Sequence, residues 1–476
     1  MRYRKSAFLQ TIGSFAGFKG IYHSYYGSAM VLNNEYGSLL DRFSTPRSLA
    51  GFEGRHSEFL HELIHRDFLV APEISERERI MGEFDNPAPT TFSGLSLDVA
   101  AGCNFDCYHC IHSAGNTLDA RSRRPARMSF ESARLAIDWV AKDLIENGET
   151  EIAINLNGGE PLLNWPMVAA VLEYVWRRYR SRLGVRFSLN TNSSLMTREV
   201  VGTLRRYNVD IGTSLDGAKA ANDSVRQTRR GGPTLERILA GFRKLAEGGV
   251  PVSAVHVTIS SKNFDQLDES FIEFLLQSGI KNVTIDPDLT DRLRQPVSSL
   301  VERIMELRKL ARRKGMSITG YWERPFANIF RGRKNLQSHF CGSTAGRSID
   351  ILPDGSIYSC SFTNRKHGYL KELAAKGSTK DFINSPSFQA MIESRRVGRI
   401  QECRGCEIEG VCGGGCYVTN AHAQQKGDNA ITTYRCDFYR QITRRLSMEM
   451  IEQYISPRTA GARINFYDIP AKNPLV

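Results

Sequence analysis

Three cysteines fall within eight residues, Cys103-Asn104-Phe105-Asp106-Cys107-Tyr108-His109-Cys110, at a C-x3-C-x2-C spacing. Thiolates this close on one loop suit a metal; a reactive or structural cysteine set is the other reading, but cysteine is scarce elsewhere in the first 340 residues. A closed structural zinc site wants four ligands, whereas three thiolates leave one corner of a cubane iron–sulfur cluster open. An open iron can bind something else. The preceding run Leu95-Ser96-Leu97-Asp98-Val99 alternates and is branched, which predicts a strand ending at Gly102.

Other segments carry chemistry-bearing residues too. In Asn157-Gly158-Gly159-Glu160-Pro161, paired glycines let backbone approach a ligand closely while the carboxylate can accept from an ammonium group; a plain turn is the default reading. Asn190-Thr191-Asn192 offers amides and a hydroxyl, or a simple Asx turn. Ser214-Leu215-Asp216-Gly217 is followed by Arg226, and Asp286 and Asp288 could face a substrate or cap a loop. The remaining seven cysteines all come late: Cys341, Cys360, then Cys403-x2-Cys406-x5-Cys412-x3-Cys416, and Cys436. Each spacing is metal-compatible, yet seven ligands do not divide into two closed four-ligand zinc sites. Gly413-Gly414-Gly415 would let backbone amides approach sulfide.

The elements that must hold these residues alternate. Strand-like runs at Glu151–Asn157, Arg186–Asn190, Val209–Leu215, Val252–Ile259 and Asn282–Asp286 are separated by helical stretches, and the run before Cys103 makes six strands. This pattern predicts a parallel sheet, doubly wound or closed as a barrel, and in parallel barrels active residues lie at the carboxyl ends of strands. Phe130, Ala133, Ile137, Val140 and Leu144 recur at helical spacing as a core face. Before Leu95, strand-like Gly20–Tyr25 and Ser28–Leu32 flank Tyr26-Gly27. Helical periodicity follows over Asn34–Phe43 and Ser57–Ile64, with a helix start predicted at Ser44–Leu49 between them. Asp67–Val70 reads as a strand, and the charged stretch Arg77–Phe84, followed by Pro87 and Pro89, as a linker. Ile349–Tyr358 reads as a hairpin turning at Asp354-Gly355.

The 476 residues, 41% of them hydrophobic, are too many for one ordinary domain and predict two or three. No apolar run approaches a membrane span, and the basic start Met1-Arg2-Tyr3-Arg4-Lys5 lacks an apolar signal segment, so a cytoplasmic protein is expected. The net charge of +12 reads as a solvated basic surface; no basic-aromatic groove pattern points to nucleic acid.

The cysteine loop, with Gly158-Gly159-Glu160-Pro161 and Ser214-Leu215-Asp216-Gly217 beyond it, resembles the radical S-adenosylmethionine (SAM) superfamily. The resemblance implies that Cys103, Cys107 and Cys110 hold a [4Fe-4S] cluster whose fourth iron SAM chelates, and that an electron from it cleaves SAM to a 5′-deoxyadenosyl radical. It implies SAM contacts at Gly158, Gly159, Glu160 and Pro161 for the methionyl amine and at Asn190 for ribose or carboxylate. Ser214 belongs to a matching segment, and Arg226 resembles a carboxylate-binding arginine, with a solvated surface arginine the alternative. His109 departs from the family, which usually carries an aromatic ring there. The seven late cysteines resemble the SPASM domain with two auxiliary [4Fe-4S] clusters, the outer on Cys403, Cys406, Cys412 and Cys436 and the inner on Cys341, Cys360 and Cys416. No cysteine between Cys341 and Cys360 supplies a fourth inner ligand. The N-terminal hairpin, helices and strand resemble PqqD-like winged-helix domains that bind leader peptides; an ordinary cap on the enzyme is the alternative.

The implied fold is α/β, a partial (β/α)6 TIM-type barrel with an N-terminal winged-helix-like domain and a C-terminal SPASM domain. Its expected division is 1–94 leader-binding domain and linker, 95–325 barrel, 326–445 SPASM domain and 446–476 C-terminal extension. The implied function is a maturase that modifies a ribosomally made precursor peptide by radical hydrogen abstraction, forming a cross-link or similar change. SAM and three [4Fe-4S] clusters are the expected cofactors, with flavodoxin or ferredoxin as electron donor. A sulfatase-type formylglycine maturase and a non-enzymatic iron–sulfur scaffold or electron carrier are the alternatives. No residue is singled out as acid or base.

Overall fold

A computed structural model describes residues 1–85, 89, 91–111, 127–288, 293–331, 337–363, 365–455 and 464–465. The chain opens with β1 (Arg2–Lys5), β2 (Leu9–Phe15), β3 (Phe18–His23) and β4 (Gly27–Asn33), then the helix Asn34–Asp41, β5 (Arg47–Ser48), the helix Gly54–His65 and β6 (Leu69–Val70). Strands β2, β3 and β4 form an antiparallel meander, while β1 pairs antiparallel with β5 and β6. Asn33 caps the first helix by accepting from Tyr36 N, and Tyr36, Leu39 and Leu40 close a small core with Phe59, Leu60 and Leu63.

Two expectations for this region are corrected. No helix starts at Ser44–Leu49: a short 3-10 turn at Arg42–Ser44 leads into β5, whose backbone finds its partner in β1, Tyr3 opposite Arg47. Arg77–Phe84 is not an extended linker but lies in the helix Glu76–Phe84, because Ile80 and Phe84, one helical turn apart, are buried with Tyr25, Tyr26 and Val397. Pro87 lies outside the described residues.

The predicted βα alternation forms β7 (Gly94–Ala100), β8 (Phe105–Cys107), β9 (Glu151–Gly158), β10 (Gly184–Thr191), β11 (Asp210–Ser214), β12 (Arg226–Thr228), β13 (Val252–Ile259) and β14 (Asn282–Pro287). Next come β15 (Ser317–Thr319), β16 (Ser348–Ile351), β17 (Ser356–Tyr358) and β18 (Lys366–Tyr369). One sheet runs β15-β14-β13-β11-β10-β9-β7-β16-β17-β18, parallel from β15 through β16 and antiparallel thereafter. This is an α/β fold with a partial, unclosed barrel. The predicted hairpin is β16–β17, but β16 also extends the sheet in parallel beside β7, Ile349 opposite Leu95. Part of the late cysteine-rich region is thereby stitched into the barrel sheet.

Alternation decides which face is which. Leu95, Leu97 and Val99 in β7, Ile154 and Leu156 in β9, and Leu189 in β10 point outward into one core; Val257 and Ile285 do so into another. Each such buried side chain contributes about 1.5–3 kcal/mol. The alternate, inward positions are polar: Ser96, Asn157, Asn190, Ser214, His256 and Asp286. A polar inner face leaves the barrel interior able to receive a ligand, where a filled barrel would carry branched apolar residues.

The N-terminal sheet is not a separate globule. Ile12, Tyr22, Ala29 and Val31 share a core with Phe326, Ile329, Ile408, Val411 and Ile451. The Tyr22 hydroxyl donates to Glu407 O at 2.9 Å, and Arg77 pairs with buried Glu409 at 3.1 Å. The helix Ala430–Ile455 runs without a break through position 445. A last strand, β19 (Ile464–Asn465), adds to β4. Among the described residues no helix is long and apolar enough to cross a membrane.

Candidate functional site

The cysteine loop leaves the carboxyl end of β7 and folds back through β8, which pairs antiparallel with β12 so that Cys107 lies opposite Arg226. N–H donors aim at its sulfurs: Phe105 N lies 3.4 Å and Asn192 Nδ2 3.8 Å from Cys103 Sγ, and Arg226 Nη1 lies 3.8 Å from Cys107 Sγ. Burial pushes the Cys103 thiol up to about 11 and the Cys107 thiol up to about 12, the latter opposed by the Arg226 charge. All ten cysteines are free thiols. Among the described residues no three His, Cys, Asp or Glu side chains surround a position for a single metal ion. What fits an iron–sulfur cluster is the donor set: three half-buried thiols on one loop, with amide and guanidinium donors directed at sulfur.

Gly158 and Gly159 lie against this loop so closely that no other residue fits. A Cβ on Gly158, where φ is +136°, would sit 2.4 Å from Ala100 O, and one on Gly159 would sit 2.5 Å from Gly102 O. Two backbone bonds fix the approach, Gly159 N to Ala100 O at 2.8 Å and Glu160 N to Gly102 O at 3.0 Å. Glu160 is wholly buried; Oε1 accepts from Leu162 N and the Thr191 hydroxyl, and Oε2 from Asn192 N. Burial raises its carboxyl to about 7 against those three hydrogen bonds. Its side chain therefore ties the ends of β9 and β10 together, and the part of this segment left partly open to solvent is the backbone of Gly158 and Gly159. Pro161 opens the following 3-10 turn.

Asn190 continues a ladder across the inner face: its Nδ2 donates to Asn157 Oδ1 at 2.8 Å, and Asn157 Nδ2 donates to Ser96 Oγ at 2.8 Å. Ser214 ends β11 beside His256 of β13. Below the loop, Arg226 is buried and paired with Asp216, Nε to Oδ2 at 2.7 Å, and His109 Nε2 lies 3.3 Å from the same oxygen. Asp216 is held in turn by Thr258 N. Burial lowers the His109 pKa against the pull of Asp216, which favours neutral imidazole. His109 thus turns toward an ion pair, and the neighbouring Tyr108, 47% exposed, is the accessible aromatic ring.

The late cysteines fall into two groups. Cys412 feels the charges of Cys403, Cys436 and Cys406, while Cys360 feels those of Cys416 and Cys341; burial is the first cause raising both thiols. The same two groupings are the ones that the SPASM resemblance implies for outer and inner sets. Arg435 and Tyr439 line a small cavity with Cys403, Cys406, Cys412, Cys416 and Cys436.

Sequence reasoning missed His256. It sits on the inner face of β13, where Gly212 of β11 makes room: a Cβ there would meet Asn190 Oδ1 at 2.2 Å and His256 Nε2 at 3.3 Å. The available signal was Val255-His256-Val257-Thr258-Ile259, in which the polar residues occupy one face.

Residues 97–271 match the Radical SAM superfamily. Radical SAM cyclopropyl synthase TigE of Paramaledivibacter caminithermalis is 23% identical over 448 residues, 90% of this chain and 92% of that protein. Mycofactocin maturase MftC of Mycobacterium tuberculosis is 26% identical over 330 residues, 68% of this chain and 77% of that one. A solved structure of anSMEcpe with bound AdoMet and a peptide superposes with a TM-score of 0.55 at 15% identity, over 74% of this chain and 99% of that one, a likeness of fold. With the three-thiol loop, the glycine pair packed against it and the unclosed parallel barrel, this chain carries a radical SAM domain over residues 97–271 and is a radical SAM enzyme.

Proposed function

We propose that this chain is a SPASM-type maturase that modifies a ribosomally made precursor peptide, acting in the cytoplasm with a flavodoxin or ferredoxin as electron donor. The observation that carries the reading is the grouping of ten free thiols into one three-thiol loop at the barrel and two further groups of four and three. When bound, SAM and a [4Fe-4S] cluster on Cys103, Cys107 and Cys110 supply a 5′-deoxyadenosyl radical for hydrogen abstraction. The chain's own residues do the positioning. Gly158 and Gly159 present backbone acceptors to the methionyl ammonium, with Glu160 fixing them from behind and Pro161 turning the chain away. Asn190 and Ser214 offer polar groups from the inner face, and Arg226, held by Asp216, offers positive charge to the SAM carboxylate.

The two late groups, Cys403, Cys406, Cys412 and Cys436 and then Cys341, Cys360 and Cys416, hold auxiliary [4Fe-4S] clusters in this reading. Residues 1–94 dock the leader while the core peptide enters the barrel, which raises its local concentration without tight core binding. Relatives support a peptide substrate: MftC is named a maturase, and anSMEcpe was solved with a peptide bound. The test is anaerobic incubation with SAM, reductant and candidate precursor peptides, starting with any short open reading frame found beside this chain's gene. Modification is read as a mass change in one of these peptides together with stoichiometric 5′-deoxyadenosine; nucleoside release with no change in any candidate peptide contradicts the reading.

A further inference from the structure

Asp286 ends β14 on the face that looks into the barrel, because Val283 and Ile285 take the outward positions in the core. Register puts it opposite Thr258, two residues beyond the pair His256 and Thr284, so it belongs to the same inner face as Ser214 and His256. Its Oδ1 accepts from Tyr321 N at 2.8 Å, while Oδ2 has no hydrogen-bond partner among the described residues. A carboxylate serving only as a loop cap would have its donors in the loop that follows it. Asp286 instead takes one backbone donor from a distant segment and leaves an oxygen unused.

Its surroundings suit a reacting group. Tyr321 is 62% exposed, and the charges of Asp286, Cys416, Cys341 and Cys360 all bear on its hydroxyl. Carboxylate and phenol therefore lie on the side of the barrel that carries the inner three thiols. Arg435, from the helix Ala430–Ile455, spends two donors on the carbonyls of Pro287 and Asp288, so its charge is near Asp286 without pairing to it. Glu323 and Tyr439 face the same place from neighbouring helices. Burial raises the Asp286 carboxyl to about 7, with the Tyr321 N–H and Arg435 opposing and Glu323 adding. A carboxyl so poised exchanges protons near neutral pH.

We propose that Asp286 is the substrate-facing proton acceptor of the radical reaction, taking at Oδ2 the proton released when the peptide closes its new bond. The step balances. A substrate C–H bond breaks and its hydrogen atom passes to the 5′-deoxyadenosyl radical, giving 5′-deoxyadenosine. The carbon radical then bonds to a second atom of the peptide, whose proton goes to Asp286, and one electron leaves to a one-electron acceptor of the iron–sulfur class. The assignment rests on the peptide-modifying reading above.

The experiment uses reconstituted full-length enzyme and a uniformly deuterated copy of the precursor peptide found to be modified in the test above, comparing wild type, Asp286→Asn and Asp286→Glu. Deuterium entering 5′-deoxyadenosine reads abstraction, and the peptide's mass reads product. We expect D286N to lower product at least tenfold more than deuterium transfer, D286E to recover part of it, and wild-type product yield to rise with pH through about 7. In cluster-free protein labelled with 13C-aspartate, a carboxyl infrared band titrating in that range should be present in wild type and missing from D286N. A D286N enzyme with the wild-type ratio of product to deuterium transfer overturns the assignment alone, as does a wild type lacking the titrating band. Wild type that releases 5′-deoxyadenosine but modifies no peptide overturns the maturase reading and this assignment with it.

Discussion

Replacing Glu160 by Gln separates a structural tie from a side chain that only awaits a ligand. The carboxylate accepts from Leu162 N, the Thr191 hydroxyl and Asn192 N in a fully buried position. Glutamine keeps the shape but turns an N–H2 group toward Asn192 N, so one buried donor loses its acceptor at a cost of about 1–3 kcal/mol. A second effect runs the other way with pH. The carboxyl stands at about 7 when folded against an ordinary value of 4.5, so between those values the folded state holds a proton that the unfolded state has released. Wild-type stability therefore falls as pH rises through this window, by about 3 kcal/mol in full, and the variant lacks that fall. Urea unfolding of cluster-free protein at pH 5 and pH 8 measures both terms. The variant should be the weaker protein at pH 5, and its deficit should shrink or vanish at pH 8. A deficit that stays constant or grows with pH would refute the buried-tie account.

Two further outcomes follow from the packing. Gly159→Ala places a Cβ 2.5 Å from Gly102 O and 3.0 Å from Cys103 N, which overpacks the site by about 1–3 kcal/mol. Its iron content after anaerobic reconstitution should fall by about four per chain, one cubane, while the late thiols stay loaded. Arg77→Ala strips buried Glu409 of its partner, and because the Arg77 side chain is 34% exposed the loss should be about 1–3 kcal/mol, read as a lower urea midpoint. An unchanged midpoint would mean that the N-terminal segment and the cysteine-rich region are not joined through this pair.

Much of the barrel was legible because its physics is local. The predicted run Val252–Ile259 coincides with β13, and β9, β10, β11 and β14 differ from their predicted bounds by a residue or two, since alternation of buried and open positions is written in consecutive residues. The three-thiol loop stands out for the same reason, Cys103, Cys107 and Cys110 lying within eight residues, whereas Cys341, Cys360 and Cys416 are far apart in sequence. What stayed hidden depends on distant partners. β1 is Arg-Tyr-Arg-Lys, with no apolar alternation to reveal it, and becomes a strand only by pairing with β5 and β6. The parallel docking of β16 beside β7 joins residues about 250 positions apart, which no local pattern encodes. The helix Glu76–Phe84 carries just two fully buried apolar side chains among charges, so its sequence reads as a linker. The sequence marks Arg226 as a candidate for binding a carboxylate, and the group that holds it in place, Asp216, is visible only in three dimensions.

The central claim is three clusters and a radical made at Cys103, Cys107 and Cys110. Its most direct test is anaerobic iron and sulfide analysis of the reconstituted chain, with 5′-deoxyadenosine release followed in wild type and Cys107→Ala. The account predicts about twelve irons and release that disappears in the variant. Zinc in place of iron, or release that survives the loss of Cys107, would contradict it.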